Sequence, residues 1–286
     1  MKPERFATNS PEIKQSVAIQ TRLRSRAEVA QQVPIVAGLC VPKGRLTDVA
    51  SGCVRGFRHS VAAQFEVLNR WNDGSIRWML TSFIAPEVSG GDCDLSILAS
   101  SETSRQPIAP AYNTTTVKGI CGEICLVIRD LSADPPTERI LRLLPCLCDI
   151  DGTELPLQVA DIREEVIGPI RQVYVATARI QSRPFVTLQL RLTHWVSAGL
   201  LHVETRIRNT RRAQHAGGLW DLGDLGSFQF GSLALAIGSD DIPRRQPRWW
   251  RREINHGPVR QVRVLQRVVV VVPLSFCRSG ALSIVQ

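Results

Sequence analysis

Apolar and polar residues alternate over short segments of this chain, and Gly, Pro, Asn and Asp residues separate the segments. A period of two is typical of a half-buried antiparallel strand. The clearest case is the segment 185–195, where apolar residues take every second position: Val186, Leu188, Leu190 and Leu192. The same pattern predicts strands at Val33–Leu39, Val61–Leu68, Ser75–Ile84, Asp94–Ser100, Ile124–Ile128, Arg171–Ile180, Phe185–Trp195, Leu200–Asn209 and Phe228–Ile237.

Turn residues and the spacing of the strands predict how they are organised. Asn72-Asp73-Gly74 and Ser197-Ala198-Gly199 each separate two predicted strands, and Asp-Gly is a strong hairpin signal. We therefore predict an all-β fold with two antiparallel β-units, at 33–100 and 119–243. Residues 101–118 are polar and contain proline, which indicates a linker. Residues 1–32 are expected to be a leader, either disordered or with a short helix.

The composition is that of a globular protein, with 44% hydrophobic and 21% charged residues in a chain of 286. The net charge of +9 is concentrated in residues 244–286, which hold nine arginines and one acid and leave only +1 for residues 1–243. This irregular basic tail is interpreted in two ways. It is an arm that binds nucleic acid or another acidic polymer, or it results from a shifted reading frame. We favour the frameshift, so nucleic acid is not the expected partner.

Cysteines and apolar runs exclude several classes of protein. The eight cysteines form no Cys-x-x-Cys pair, so no structural zinc is predicted. Cys121 and Cys125, like Cys146 and Cys148, have even spacing and should share one face of a strand. The N-terminal segment lacks the apolar core of a secretion signal, which predicts a cytoplasmic protein. The longest apolar run, at 268–274, is too short for a membrane helix, so no membrane partner is expected.

Two segments carry side chains suited to binding a sugar. Trp71 and Trp78 flank the Asn72–Gly74 turn, and the loop 208–230 is rich in charged and aromatic residues. An aromatic face beside Asn, Asp or Arg can bind a sugar ring and its hydroxyl groups, but tryptophans on a hairpin also pack across strands. Both interpretations remain open for the candidate sugar-binding residues Trp71, Trp78, Arg211, Arg212, His215, Trp220, Asp221 and Asp224.

The loop also contains groups that β-elimination at a uronate would need. That reaction requires a base, an acid and positive charge on the carboxylate. Arg211, Arg212 and His215 can supply charge and proton transfer, and Asp221 and Asp224 can ligate Ca²⁺. The same composition suits a structural plug of Arg–Asp pairs sealed by a tryptophan. No residue is therefore assigned a catalytic role, and no cofactor is predicted beyond this weak Ca²⁺ candidate.

Four motifs, in order, resemble those of the exo-rhamnogalacturonan lyase (YetA-like) family. They are VPIVAGLCVPKGRLTD, QFEVLNRWNDGSIRWMLTSF, EEVIGPIR and NTRRAQHAGGLWDLGDLGSF. The resemblance covers roughly residues 33–237. It implies a small RIFT-type barrel followed by a β-sandwich-like domain, and a pectic oligo- or polysaccharide as ligand.

The resemblance also implies what is missing. Members of the family are longer and are expected to carry their lyase chemistry in a helical toroid, and this chain departs from the family after Ile237. The expected function is therefore that of a truncated N-terminal β portion of a pectin-degrading lyase, inactive by itself. A stand-alone carbohydrate-binding module is the first alternative, and acidic-polymer binding through the arginine tail is the second.

Overall fold

The computed structural model of the chain describes residues 16–102, 111–120, 122–211, 228–239 and 268–273. The fold is all-β and antiparallel, and the described residues form strands and turns with no helix. None of them therefore belongs to a helix that could cross a membrane. The chain divides into two units, Met1–Ile108 and Ala109–Gln286, so the division falls inside the segment predicted as a linker.

The N-terminal unit is one five-stranded sheet around two very long strands. Its strands are β1 (Ser16–Cys40), β2 (Ser51–Arg55), β3 (Val61–Ala62), β4 (Gln64–Arg70) and β5 (Ile76–Ser100). β5 pairs with β1 along one edge, and along its other edge it pairs first with β4 and then with β2. The two predicted strands Ser75–Ile84 and Asp94–Ser100 are thus the two ends of β5.

Two irregularities interrupt the β1–β5 pair. The register shifts between Ser25 and Val29, and the pairing passes over Pro86, which lacks an N–H group, opposite Gln32 with φ 51°. Both halves of the pair nevertheless contribute to a single core, in which Met79 and Phe83 from the first half of β5 lie with Ile97 from the second.

The C-terminal unit has two sheets. The first contains β9 (Leu157–Val166), β10 (Arg171–Ile180), β11 (Arg183–Trp195), β12 (Leu200–Asn209) and β14 (Val268–Pro273), paired in the order β14-β12-β11-β10-β9. The second contains β6 (Tyr112–Ile120), β7 (Glu123–Asp130), β8 (Thr137–Cys148) and β13 (Ser232–Ser239), paired in the order β13-β8-β7-β6.

One apolar core lies between these two sheets. Leu126 and Leu143 come from the second sheet, and Ala176, Leu190 and Val203 come from the first. In β11 the residues that alternation placed inward are all buried, as the period of two predicted. The C-terminal unit is therefore sandwich-like, with one face of each sheet turned inward and the other turned outward.

The predicted leader and linker both differ from the structure. Residues 16–32 belong to β1, because Val17, Ile19 and Leu23 alternate with exposed residues and pack against the core of the N-terminal unit. Residues 112–118 belong to β6, because threonine is β-branched and suits a strand despite its polarity. The polar composition of both segments had indicated irregular chain.

The basic tail is partly regular. Val268–Pro273 forms β14, which pairs antiparallel with Leu200–Thr205, so the predicted irregular tail does not apply to these six residues. A run of valines has high β-propensity and finds an open edge on β12. The remaining residues of 244–286 lie outside the described part of the chain.

Candidate carbohydrate-binding surface

The Asn72–Gly74 turn is built as its sequence predicted. The Trp71 amide donates to the Ser75 carbonyl at 2.8 Å, and Gly74 has a φ of 84°, which glycine adopts without strain. Asp73 accepts hydrogen bonds from the amide and the hydroxyl of Ser75, at 3.0 and 2.6 Å. The Ser75 hydroxyl bond is the main cause that lowers the pKa of Asp73. Asp73 is thus explained by the turn alone.

Trp71 belongs to the hairpin and is not free to stack on a ligand. Its indole Nε1 donates to the Val41 carbonyl at 3.0 Å. The Arg77 guanidinium carbon lies 4.7 Å from the centroid of the Trp71 ring, which is cation–π distance. Because Arg77 and Trp78 are neighbours in β5, their side chains leave opposite faces of the strand. The two candidate tryptophans therefore do not form one aromatic platform.

Trp78 has a different position, on the outer face of the sheet. Its side chain is 42% exposed, and its neighbour Met79, which points the other way, is fully buried in the core. Trp78 is paired with Cys40 on β1 and with Asn69 on β4, and both of these residues are exposed. Directly paired residues lie on the same face of a sheet, so an exposed polar amide and an exposed thiol flank the indole.

Small, apolar and polar residues surround Trp78 on this face. In the next row of paired residues, Gly38, Leu80 and Glu66 lie side by side, and a Cβ atom added to Gly38 would meet nothing within 4 Å. Val36 follows Gly38 on this face and is 42% exposed. We call this set, with its tryptophan, the Trp78 surface. The fold does not need an exposed indole there, so packing does not account for it.

The remaining candidate residues divide into one that the structure describes and five that it does not. Arg211 follows β12, and its guanidinium carbon lies 3.6 Å from the centroid of the Phe185 ring. Its amide donates a hydrogen bond to the Asn209 Oδ1 atom at 3.0 Å. The other five lie outside the described residues: Arg212, His215, Trp220, Asp221 and Asp224. The catalytic and Ca²⁺ hypotheses for that loop therefore remain predictions.

A buried polar cluster in the C-terminal unit was not predicted. A histidine on a strand ordinarily lies at the surface or at an edge, but His194 is fully buried. Its Nδ1 atom shares a 2.7 Å hydrogen bond with Thr114 Oγ1, and the Thr114 amide donates to Gln172 Oε1 at 3.0 Å. Gln172 in turn donates to Asn113 Oδ1 at 2.6 Å. The cluster joins β6 of one sheet to β10 and β11 of the other.

Burial controls the chemistry of this cluster. It lowers the pKa of His194 to about 4, and its Nε2 atom has no hydrogen-bond partner among the described residues. Burial, followed by the charge of Glu164, raises the pKa of the nearby Tyr174 to about 12. Both side chains are neutral near pH 7, so the cluster is a structural connection between the sheets. The alternation of apolar residues in β11 indicated the burial of His194, because His194 occupies an inward position of that strand.

Cys146 is not a reactive thiol, and the described part of the chain contains no group of metal ligands. The Cys146 thiol donates to Glu154 Oε1 at 3.5 Å, and burial together with that carboxylate raises its pKa to about 11. A thiol with a raised pKa is a poor nucleophile. Within the same ranges no three His, Cys, Asp or Glu side chains are grouped as a metal site requires.

No protein-family model matches the chain, and no curated protein matches it at a significant level. The resemblance to the exo-rhamnogalacturonan lyase family therefore depends only on the four motifs. Its RIFT-type barrel and its activity remain predictions.

Proposed function

We propose that this all-β protein binds a carbohydrate through the Trp78 surface and does not cleave it. The observation that supports the proposal is the 42% exposed indole of Trp78 on a sheet face, beside an open glycine. The apolar C–H face of a sugar ring can cover an indole, while its hydroxyl groups bond to polar groups at the rim. Asn69 and Glu66 provide polar atoms on the same face.

The expected contribution of the indole follows from the area it can bury. Covering roughly 60 Å² of apolar ring surface at about 25 cal/mol per Å² stabilises a complex by about 1.5 kcal/mol. That is about a tenfold change in the dissociation constant. An exposed tryptophan is therefore sufficient to decide whether weak glycan binding is detected.

The test uses the full chain and pectic oligosaccharides, which the motif resemblance makes the first ligands to try. Trp78→Ala should weaken binding about tenfold by titration calorimetry. Ile150→Ala is the matched control, because Ile150 is also an exposed apolar side chain but lies in a turn of the C-terminal unit. Equal binding by the wild type and the Trp78 variant would contradict the proposal.

Cys40 provides an independent reporter, because it is exposed and directly paired with Trp78. A bound oligosaccharide should slow alkylation of Cys40, measured by peptide mass spectrometry. Cys93, on the far half of β5, is the internal reference. If saturating ligand slows alkylation of Cys40 no more than alkylation of Cys93, the ligand does not bind beside Trp78.

The absence of cleavage is tested separately. The purified chain should produce no unsaturated-uronate absorbance from rhamnogalacturonan. The resemblance implies that the lyase chemistry of the family resides in a helical toroid, and the motifs found in this chain belong to the β-domains. Turnover that His215→Ala abolishes would instead make the 208–230 loop a catalytic site.

A further inference from the structure

The outward face of the first sheet of the C-terminal unit carries a group of arginines. Arg179 on β10 is paired with Thr187 on β11, and Thr187 is paired with Arg208 on β12. Residues paired in this way project from the same face, so one row contains two arginines with a threonine between them. Across two strand spacings, their Cα atoms are roughly 10 Å apart.

Both arginines of this row are exposed, and neither has a carboxylate partner among the described residues. The adjoining rows are different. Arg206 forms an ion pair with Glu204 at 2.6 Å, and Arg163 forms one with Glu165 at 3.0 Å. The face therefore has a charge-balanced part, and beyond it a part with uncompensated positive charge.

Arg211 extends the uncompensated part by one more position. Phe185 precedes Thr187 on the same face of β11, and the Arg211 guanidinium lies 3.6 Å over its ring. Stacking on an aromatic ring holds the guanidinium in place while its N–H groups remain free to bond outward. Arg179, Arg208 and Arg211 thus form a short basic patch, which we call the arginine patch.

We propose that the arginine patch binds the carboxylate groups of an acidic oligosaccharide. Guanidinium groups match carboxylates with two parallel hydrogen bonds. Thr187 lies between Arg179 and Arg208, and Gln189 lies in the next row; both offer neutral donors and acceptors suited to sugar hydroxyl groups. This inference rests on the proposed function, and it specifies the class of sugar.

The same surface fits a nucleic acid poorly. Single-stranded nucleic acids bind through exposed aromatic side chains on which bases stack. The aromatic ring of the patch, Phe185, is already covered by Arg211. In the adjacent rows Glu204 and Glu165 neutralise Arg206 and Arg163, so the positive surface that a long phosphate backbone could follow is short. A short ligand with separated charges and many hydroxyl groups fits better.

The experiment compares one oligosaccharide with and without its charge. The probe is an oligogalacturonate, and its methyl ester is the neutral reference. Arg179→Gln/Arg208→Gln should weaken binding of the acid at least about tenfold and reduce its salt dependence, while binding of the ester stays unchanged. Arg58→Gln/Arg129→Gln removes the same charge from exposed positions outside the patch and should change neither.

The outcomes separate this inference from the proposed function. If Trp78→Ala weakens both ligands and the Arg179/Arg208 variant weakens neither, the arginine patch is overturned and the Trp78 surface stands. If only the arginine variant has an effect, the Trp78 surface is overturned. Equal losses from the two arginine double variants, or tighter binding of a single-stranded oligonucleotide that depends on Arg179 and Arg208, would also overturn the acidic-sugar assignment.

Discussion

Acidification should destabilise the C-terminal unit through His194. The residue is fully buried, and its folded-state pKa is lowered to about 4, against an ordinary value of about 6.5. A group whose folded pKa lies below its unfolded value binds a proton more readily in the unfolded chain. Its neutral form therefore favours folding above about pH 6.5, and this stability is lost as the pH falls toward about 4.

The magnitude follows from the two pKa values. Between about pH 7.5 and about pH 4.5, the free energy of unfolding should fall by about 2.5 kcal/mol through this residue. The physical cause is that an imidazolium at this position would be desolvated, with Thr114 as its one hydrogen-bond partner in the described structure. Carboxylates add their own pH dependence, so the measurement must be a difference between variants.

His194→Asn provides that difference. An asparagine side chain can place a polar atom near the position of Nδ1 and keep a bond to Thr114, but it does not titrate. Denaturant unfolding followed by circular dichroism should show a wild-type stability that falls more steeply on acidification, by about 2.5 kcal/mol. His59→Asn, at an exposed loop position, is the control, and its free energy of unfolding should depend on pH as that of the wild type does. Parallel curves for the wild type and His194→Asn would refute the reasoning.

Three further predictions concern packing and the tail. Gly52→Ala should destabilise the N-terminal unit by about 3 kcal/mol, because the new Cβ would collide with the Leu98 carbonyl and lie 2.6 Å from Phe65. Gly38→Ala, whose Cβ would meet no atom within 4 Å, should be nearly neutral when both variants are compared by thermal unfolding. Thr114→Val should cost about 2 kcal/mol by denaturant unfolding, because it leaves His194 without its bond. Deletion of 244–286 should retain the β circular dichroism signal, because β14 is an edge strand and β9 to β12 remain paired without it; loss of that signal would contradict the prediction.

Alternation was sufficient to predict the strands that have one buried face. Phe185–Trp195 and Leu200–Asn209 are found as β11 and β12 with small changes at their ends, and the turn between them contains Gly199 with a φ of 58°. Such segments carry their own signal, because the period of two requires only that one side meets a core. The Asn72–Gly74 turn was predictable for a similar local reason.

The missed strands depend on partners distant in sequence. The start of β1 is polar, and it is held by Arg22–Asp94 and Arg24–Asp92 ion pairs across the sheet, at 2.7 and 2.8 Å. β8 contains Pro145, which ordinarily indicates an edge or a break, but the pairing with β7 ends at Leu143 and only β13 is paired at the proline. Tertiary pairing determined both outcomes, and local propensity does not contain that information.

The candidate site shows the same limit. Trp71 and Trp78 looked equivalent in the sequence, but the register of β5 sends Trp78 outward, while Trp71 bonds to Val41. The arginine patch was not predicted, because Arg179 and Arg208 are 29 positions apart and meet only through Thr187.

Both proposed surfaces lie on exposed parts of a sheet, outside the two apolar cores. Packing determines which side chains fit on the inward face of an antiparallel sheet, so the fold explains a residue found there. The outward face needs only to be soluble, and charged or small polar side chains achieve this at little cost. Solubility does not require an exposed indole at Trp78, or guanidinium groups at Arg179 and Arg208 that have no carboxylate partner among the described residues. We propose that contact with a ligand accounts for both features.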